Sequence, residues 1–339
     1  MKKKTTIHDI SRALKINSST VSRALNNSPR VSQKTKDLIQ KKAAELGYQK
    51  NILASNLRTN KTNTIGIIVP RISRNFFSSV ISGIEETAYK AGYNVVIGQS
   101  LESFEREQQL VSTLLSNRVD GLLISVSMGT TNYDHLHNFK NNGGPIVFFD
   151  RPIVMGDTPN IGIDDFDASY KATEHLIKNG CKDIVHFSGF QKIELYKQRM
   201  QGYITALKNH NIPIREEYIL ESQLSEADGI ELAKKVLSLP KVDGIYSSND
   251  TAAISAIQFF KKEGLKIPDD IAIVGFNNDT ISAVIEPGLT TVNQPDVEMG
   301  IIASSLLIEL IKKTIESPAE HSKTLGTELI IRQSSQKRK

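Results

Sequence analysis

NSSTVSRALNNSP, residues 17–29, sets the terms for reading this chain. Val21, Ala24 and Leu25 recur at helical spacing, so one face of a short helix can be buried while Ser18, Ser19, Ser22, Arg23 and Asn26 face outward. Long charged side chains would serve solubility equally well and small hydroxyls gain little from water, so that outward face invites a search for a partner. Upstream, IHDISRAL (7–14) reads as one amphipathic helix and Lys15-Ile16-Asn17 as a tight turn with Asn17 as N-cap of the next helix, 18–26. This is a helix-turn-helix. A third helix is predicted at about 33–46, with Ser32 as N-cap, Gly47 at the left-handed exit, and Leu38, Ile39, Ala43 and Leu46 closing a three-helix core. Short hydroxyls at the start of a recognition helix allow close approach to base edges, and Arg23 one turn on reaches guanine or phosphate. Asn17, Ser18, Ser19, Thr20, Ser22, Arg23 and Asn26 are therefore the candidate double-stranded DNA contacts.

Charge supports that reading. Residues 1–61 hold fourteen Lys and Arg against Asp9, Asp37 and Glu45, a net of +11, which leaves 28 basic against 34 acidic residues elsewhere, a net of −6. A basic head on an acidic body suits a polyanion held at one end. The opening MKKKTTIHDI lacks an apolar stretch behind its lysines, and no run of about eighteen apolar residues follows, so a cytoplasmic protein with no membrane association is expected. Cys181 is the only cysteine, which excludes an intrachain disulfide and a multi-thiolate metal site.

Beyond residue 64 the pattern changes to apolar runs alternating with helical stretches: TIGIIVP (64–70), YNVVIGQ (93–99), GLLISVS (121–127), GPIVFFD (144–150), DIVHFSG (183–189), DGIYSSND (243–250) and DIAIVGF (270–276), with a helix over about 77–91. Such runs mark strands buried on both faces. They predict an α/β fold of doubly wound parallel sheets in two lobes, with ligands at the strand carboxyl ends. No glycine-rich phosphate loop or nucleophile elbow follows a strand, and His135 and His137 are two apart rather than one helical turn, so no enzyme activity, cofactor or metal is expected.

TIHDISRALKINSSTVSRALN, GYQKNILASNLRTNKTNTIGIIVP, FFDRP, SSNDTAAISA, IVGFNND and LTTVNQP, in that order, resemble the LacI/GalR family of bacterial transcriptional regulators over nearly the whole chain. The resemblance implies an N-terminal helix-turn-helix, a hinge helix that orders on DNA, and a periplasmic-binding-protein-like core whose interlobe cleft takes a small molecule that changes operator affinity. The expected division is 1–50 for the head, 51–63 for hinge and linker, and 64–335 for the core, with lobe 1 at about 64–164 plus 295–322 and lobe 2 at about 165–294 plus 323–335. Ser18, Ser19 and Arg23 match the family's base-reading positions, and Leu57 with Arg58 match the pair that enters the minor groove. Lys15 and Lys50 stand where a turn glycine and a hinge proline are frequent, and Asn277 replaces a usual Asp.

The effector candidates sit at strand ends. Asp150, Arg151 and Arg199 offer a carboxylate and planar guanidinium groups suited to vicinal hydroxyls, with structural salt bridges as the rival reading. Phe76 and Phe77 could face a ligand or the core, Asp250 could cap the helix after SSND, and the resemblance implies Asn249 as the pocket residue. Asn277 retains hydrogen bonding, while Asp164 and Gln294 lie where the chain crosses between lobes. With no aromatic placed for base stacking around Leu224, a sugar or sugar derivative is preferred to a purine. The expected function is a repressor of carbohydrate-utilisation genes. The alternatives are an activator or global regulator with a non-sugar effector, or a cytoplasmic sugar-binding protein.

Residues 51–58 are too short to be a stable helix alone and place Ile52, Leu53, Ala54 and Leu57 without an obvious intrachain face, so a homodimer pairing two hinges on a near-palindromic operator is expected. The SSQKRK end carries no apolar heptads, which favours dimers over tetramers. With Leu57 as the wedge at the central base step, Leu57→Ala weakens specific operator binding by about 1–3 kcal/mol and reduces bending, while leaving salt-dependent non-specific binding nearly unchanged. Titration of operator and scrambled duplexes, with a bending assay, measures both.

Overall fold

The computed structural model describes residues 5–48 and 61–336, so the hinge positions 51–58, Leu57 and Arg58 included, lie outside the described residues. Two compact units result, Met1–Thr62 and Asn63–Lys339.

The first unit holds three helices, α1 (Ile7–Leu14), α2 (Ser18–Leu25) and α3 (Gln33–Glu45). Asp9 Oδ2 accepts from the Thr6 amide at 2.9 Å at the start of α1, Asn17 Oδ1 from the Ser19 amide at 3.0 Å at the start of α2, and Ser32 Oγ from Thr35 N at the start of α3. Each cap satisfies an N–H that the helix leaves without a partner. Lys15 ends α1 with φ +53°, adopting without a glycine the left-handed turn that the motif needs. Ile10, Val21, Ala24, Val31, Ile39 and Ala43 form the core. Leu38 and Leu46, expected in that core, are instead 50% and 38% exposed, because α3 turns only its Ile39 and Ala43 edge inward.

The second unit contains two six-stranded sheets. The first has the order β11-β5-β4-β3-β1-β2, with β1 Thr64–Val69, β2 Asn94–Gln99, β3 Gly121–Ile124, β4 Ile146–Phe149, β5 Asn160–Ile163 and β11 Lys323–Leu325, all parallel. The second has the order β12-β10-β9-β8-β6-β7, with β6 Ile184–Ser188, β7 Ile219–Glu221, β8 Gly244–Ser247, β9 Ala272–Asn277, β10 Thr290–Asn293 and β12 Glu328–Ile330; only the β10–β12 pair is antiparallel. The central strands are buried at nearly every position, which is why their apolar runs are continuous rather than alternating.

The chain crosses between sheets after β5, after β10 and between β11 and β12. The last crossing corrects the expected boundary: residues 323–325 pair with Ile161–Ile163 in the first lobe, so the second lobe resumes only after Gly326-Thr327. After the second crossing, α12 (Asp296–Lys312) packs on the first sheet and on α4 (Asn75–Lys90). Gly83 and Gly300 make this crossing close, since a Cβ on either would meet the facing helix backbone, at Val297 O and Val80 O respectively. Gly300→Ala therefore overpacks the joint and lowers stability by about 1–3 kcal/mol, measured by urea unfolding.

Candidate functional site

In the first unit, none of the seven predicted DNA-contact residues is buried; Ser19, Arg23 and Asn26 are exposed on or just beyond α2. Asn17 spends its side-chain oxygen on the Ser19 amide and hydroxyl, and Asn26 donates to Ser22 O at 2.8 Å, so both shape the helix ends. Arg23 projects from the last turn of α2.

In the second unit, the strand carboxyl ends of the two sheets face a cleft. It is lined by eight of the nine predicted effector residues: Phe76, Phe77, Asp150, Arg151, Arg199, Asn249, Asn277 and Gln294. The ninth does not reach it. Asp164 is exposed and caps α7 (Asp165–Lys178) by accepting from Asp167 N at 2.9 Å, while its neighbour Asp165 is buried beneath Arg199. The doublet Asp164-Asp165 thus divides its work between helix capping and the site.

Two guanidinium groups are fixed by carboxylates. Arg151 meets Glu102 through two parallel bonds of 2.9 Å and donates to Val126 O at 2.5 Å. Arg199, on α8 (Glu194–Asn209), donates to Asp165 Oδ1 at 2.7 Å and to Ser248 O at 2.8 Å, with its carbon 3.5 Å from the Phe276 ring centre. Both arginines are salt-bridged, as the structural reading expected, and both also line the cleft. Burial opposes the Glu102 charge, but Arg151 outweighs it and the Glu102 pKa falls. Burial outweighs Arg199 at Asp165, whose pKa is pushed up to about 6. Asp150, accepting from Ser125 at 2.9 Å, is also raised by burial, against Arg151 and Arg199.

The remaining polar groups converge from loops and helix starts. Asn249 caps α10 (Asp250–Lys262), accepting from Ala252 N at 2.9 Å, and donates to Leu224 O at 2.9 Å. The capping role weighed for Asp250 therefore belongs to Asn249. Gln294 donates to Asn277 Oδ1 at 2.8 Å and leaves its own oxygen without a partner. Glu102, Asp150, Leu224 and Asn277 all hold positive φ, and such backbone strain concentrates at functional sites. Phe76 and Phe77 pack edge to face with each other in the first-lobe core and also border the cleft. Tyr196 is an aromatic that the sequence reading missed; Leu224 is wholly buried.

Arg71, Arg74, Glu102, Tyr196, Gln223 and Ser225 also line the cleft without having been singled out. Arg74 spans it: from the start of α4 it donates to Thr251 Oγ1 at 2.5 Å and to Leu224 O at 3.4 Å on the second lobe. The free space is about 90 Å³, well below the ~300 Å³ at which small-molecule sites begin, so the cleft has to widen to admit an occupant. Among the described residues no group of three His, Cys, Asp or Glu could hold a metal, and no helix is long and apolar enough to cross a membrane.

The fold and the cleft define a ligand-responsive DNA-binding regulator, and comparison with known proteins agrees. Residues 6–51 match the family described as bacterial regulatory proteins, lacI family, and residues 62–333 match the periplasmic binding proteins and sugar binding domain of LacI family. The chain belongs to the LacI family. It is 34% identical over 331 residues to the NTD biosynthesis operon regulator NtdR of Bacillus subtilis (strain 168), covering 97% of this chain and 99% of that one. It is 32% identical over 331 residues to the HTH-type transcriptional repressor CytR of Escherichia coli (strain K12), covering 97% and 96%. Among solved structures, the transcriptional regulator CelR–cellobiose complex aligns with a TM-score of 0.74 at 25% identity, over 98% of this chain and 100% of that one.

Behind Asn249, Asp250 is wholly buried and accepts from Ser282, Thr291 and the Asp279 amide, with no cation bonded to it. Burial, and then the neighbouring Asp279, push its pKa up to about 7. The folded state therefore holds this proton where the unfolded chain has lost it, so the Asp250 contribution to stability is full below about pH 4 and declines as pH rises toward 7. Asp250→Asn is expected to flatten the fall in melting temperature between pH 4 and 7, read by thermal scans across that range.

Proposed function

We propose that this protein represses transcription of carbohydrate-related genes from a near-palindromic operator, as a cytoplasmic homodimer, with operator affinity set by a sugar or sugar derivative in the interlobe cleft. Its partners are double-stranded DNA, a small-molecule effector and a second copy of the chain; no catalysis is assigned to it. The observation that carries this reading is the convergence of Asp150, Arg199, Asn249, Asn277 and Gln294 on one cleft at the strand carboxyl ends, in a chain that also has a hydroxyl-rich helix α2 with none of Ser18, Ser19, Thr20, Ser22 and Arg23 buried. The family description names a sugar binding domain, and the CelR structure contains cellobiose; both support a sugar here. Direct base contacts are assigned to Ser18, Ser19, Thr20, Ser22 and Arg23, with Asn17 and Asn26 shaping the helix ends, and minor-groove contacts to Leu57 and Arg58.

The site acts by differential binding. A ligand that prefers one arrangement of the lobes shifts the protein toward it, and the operator-binding hinge reads that shift. Asp164, at the first crossing, is assigned to this coupling rather than to ligand contact. Full-length protein should bind a near-palindrome tightly and the isolated residues 1–61 only weakly; equal affinity for operator and random duplex at every salt concentration overturns the proposal. Arg199→Ala should abolish the effector's influence on operator binding, measured by anisotropy. Because that change strands Asp165 as a buried charge, the Asp165→Asn/Arg199→Ala pair is the variant that keeps the fold while losing the response.

A further inference from the structure

Four arginines line the cleft, and they are not equivalent. Arg151 is neutralised by Glu102, and Arg199 by Asp165. The Arg71 side chain forms no hydrogen bond and no ion pair within 4 Å among the described residues, its carbonyl alone accepting from Arg74 N. The Arg74 guanidinium donates only to the neutral oxygens of Thr251 and Leu224. Of the carboxylates near these two, Glu102, which feels Arg71, is held by the Nη1 and Nη2 of Arg151, while the half-buried Asp279 feels Arg74 without bonding to it and offsets its charge only at longer range. Between Arg71 and the Arg74 cap, α4 begins at the cleft with no side chain capping its first turn, so its first N–H groups add positive potential on the same side. Farther in, Gln294 is 97% buried with an unpartnered oxygen, and Asn249 and Asp150 present acceptors and donors suited to hydroxyls.

We infer that the effector is an anionic sugar, a monosaccharide-sized polyol carrying a carboxylate or a phosphate, with Arg71 and Arg74 as the pair that receives the anion. This rests on the sugar reading above and narrows it. The anion takes Arg74 from Thr251 and the Leu224 carbonyl, exchanging neutral partners for charge-assisted bonds, while the polyol end meets Gln294, Asn249 and Asp150. A neutral sugar that displaces the bridge has no charge to offer Arg74 in return, so the arrangement discriminates against it.

Thermal-shift titration of the full-length protein tests this with glucose 6-phosphate, ribose 5-phosphate, gluconate and glucuronate, each beside glucose, ribose, inorganic phosphate and adenosine. At least one sugar anion should bind tenfold or more tightly than its neutral counterpart, and which of the four wins separates phosphate from carboxylate. Arg71→Gln and Arg74→Gln should each weaken that ligand at least tenfold, with Arg71→Lys restoring most of it; Arg71 holds no bonded partner, so its variants keep the fold even if Arg74→Gln does not. A neutral sugar that binds as well as its anion overturns the inference and leaves the sugar reading standing. The same shift from inorganic phosphate means an adventitious ion only and also overturns it. Stabilisation by adenosine alone, or by none of the panel, defeats both readings.

Discussion

Two buried guanidinium–carboxylate pairs, Arg151 with Glu102 and Arg199 with Asp165, hold charge out of water where the two sheets face each other, and the rest of the cleft is arranged around them. A buried ion is costly unless it is paired and its other polar groups find partners, and each arginine also donates to a main-chain carbonyl, Val126 O for one and Ser248 O for the other. These carbonyls belong to loops at strand ends. Left-handed backbone stands at three other strand ends around the same cleft, at Glu102 after β2, at Asp150 after β4 and at Asn277 closing β9.

The two sheets supply what such pairs need. Strands buried on both faces exclude water from the layer beneath, and every parallel strand ends toward the cleft, so polar residues placed just past an apolar run converge without further instruction. Helices α4, α8 and α10 start beside it, adding main-chain donors to the side chains.

The architecture was legible in the chain because it rests on local patterns. Apolar runs of fixed length mark β1, β3, β4, β6, β8 and β9, and three-to-four spacing marks α1 and α2. Residues directly after a strand were legible for the same reason: Asp150 with Arg151 after β4, Asn249 after β8, and Asn277 at the end of β9. What escaped was non-local. Arg74 lies 177 positions from the hydroxyl it reaches, and Glu102 sits 49 positions from Arg151 in a loop with no periodicity to signal burial. Asp164 and Asp165 were indistinguishable by type, since only the helix beginning between them decides which one caps and which one is buried. Leu38 and Leu46 fit a helical period, yet α3 packs on α1 and α2 along the one edge that holds Ile39 and Ala43, and Leu46 already stands past its last turn. Residues 323–325 could not be assigned to a lobe from sequence, because a three-residue strand declares its sheet only through its partner, β5.

Three short crossings, at Asp164, at Gln294-Pro295 and at Gly326-Thr327, tie the lobes together on one side of the unit. As a mechanical linkage, three stiff tethers side by side suppress sliding and separation and leave rotation about the line through them as the soft motion. Displacement in such a joint is least at the tethers and grows with distance from them, which makes the tethered edge a lever's fulcrum. Because α12 leaves the second crossing and is locked to α4 through Gly83 and Gly300, the arm on the first-lobe side is a rigid one. A small rotation at the fulcrum is therefore carried outward through solid packing rather than absorbed along the way.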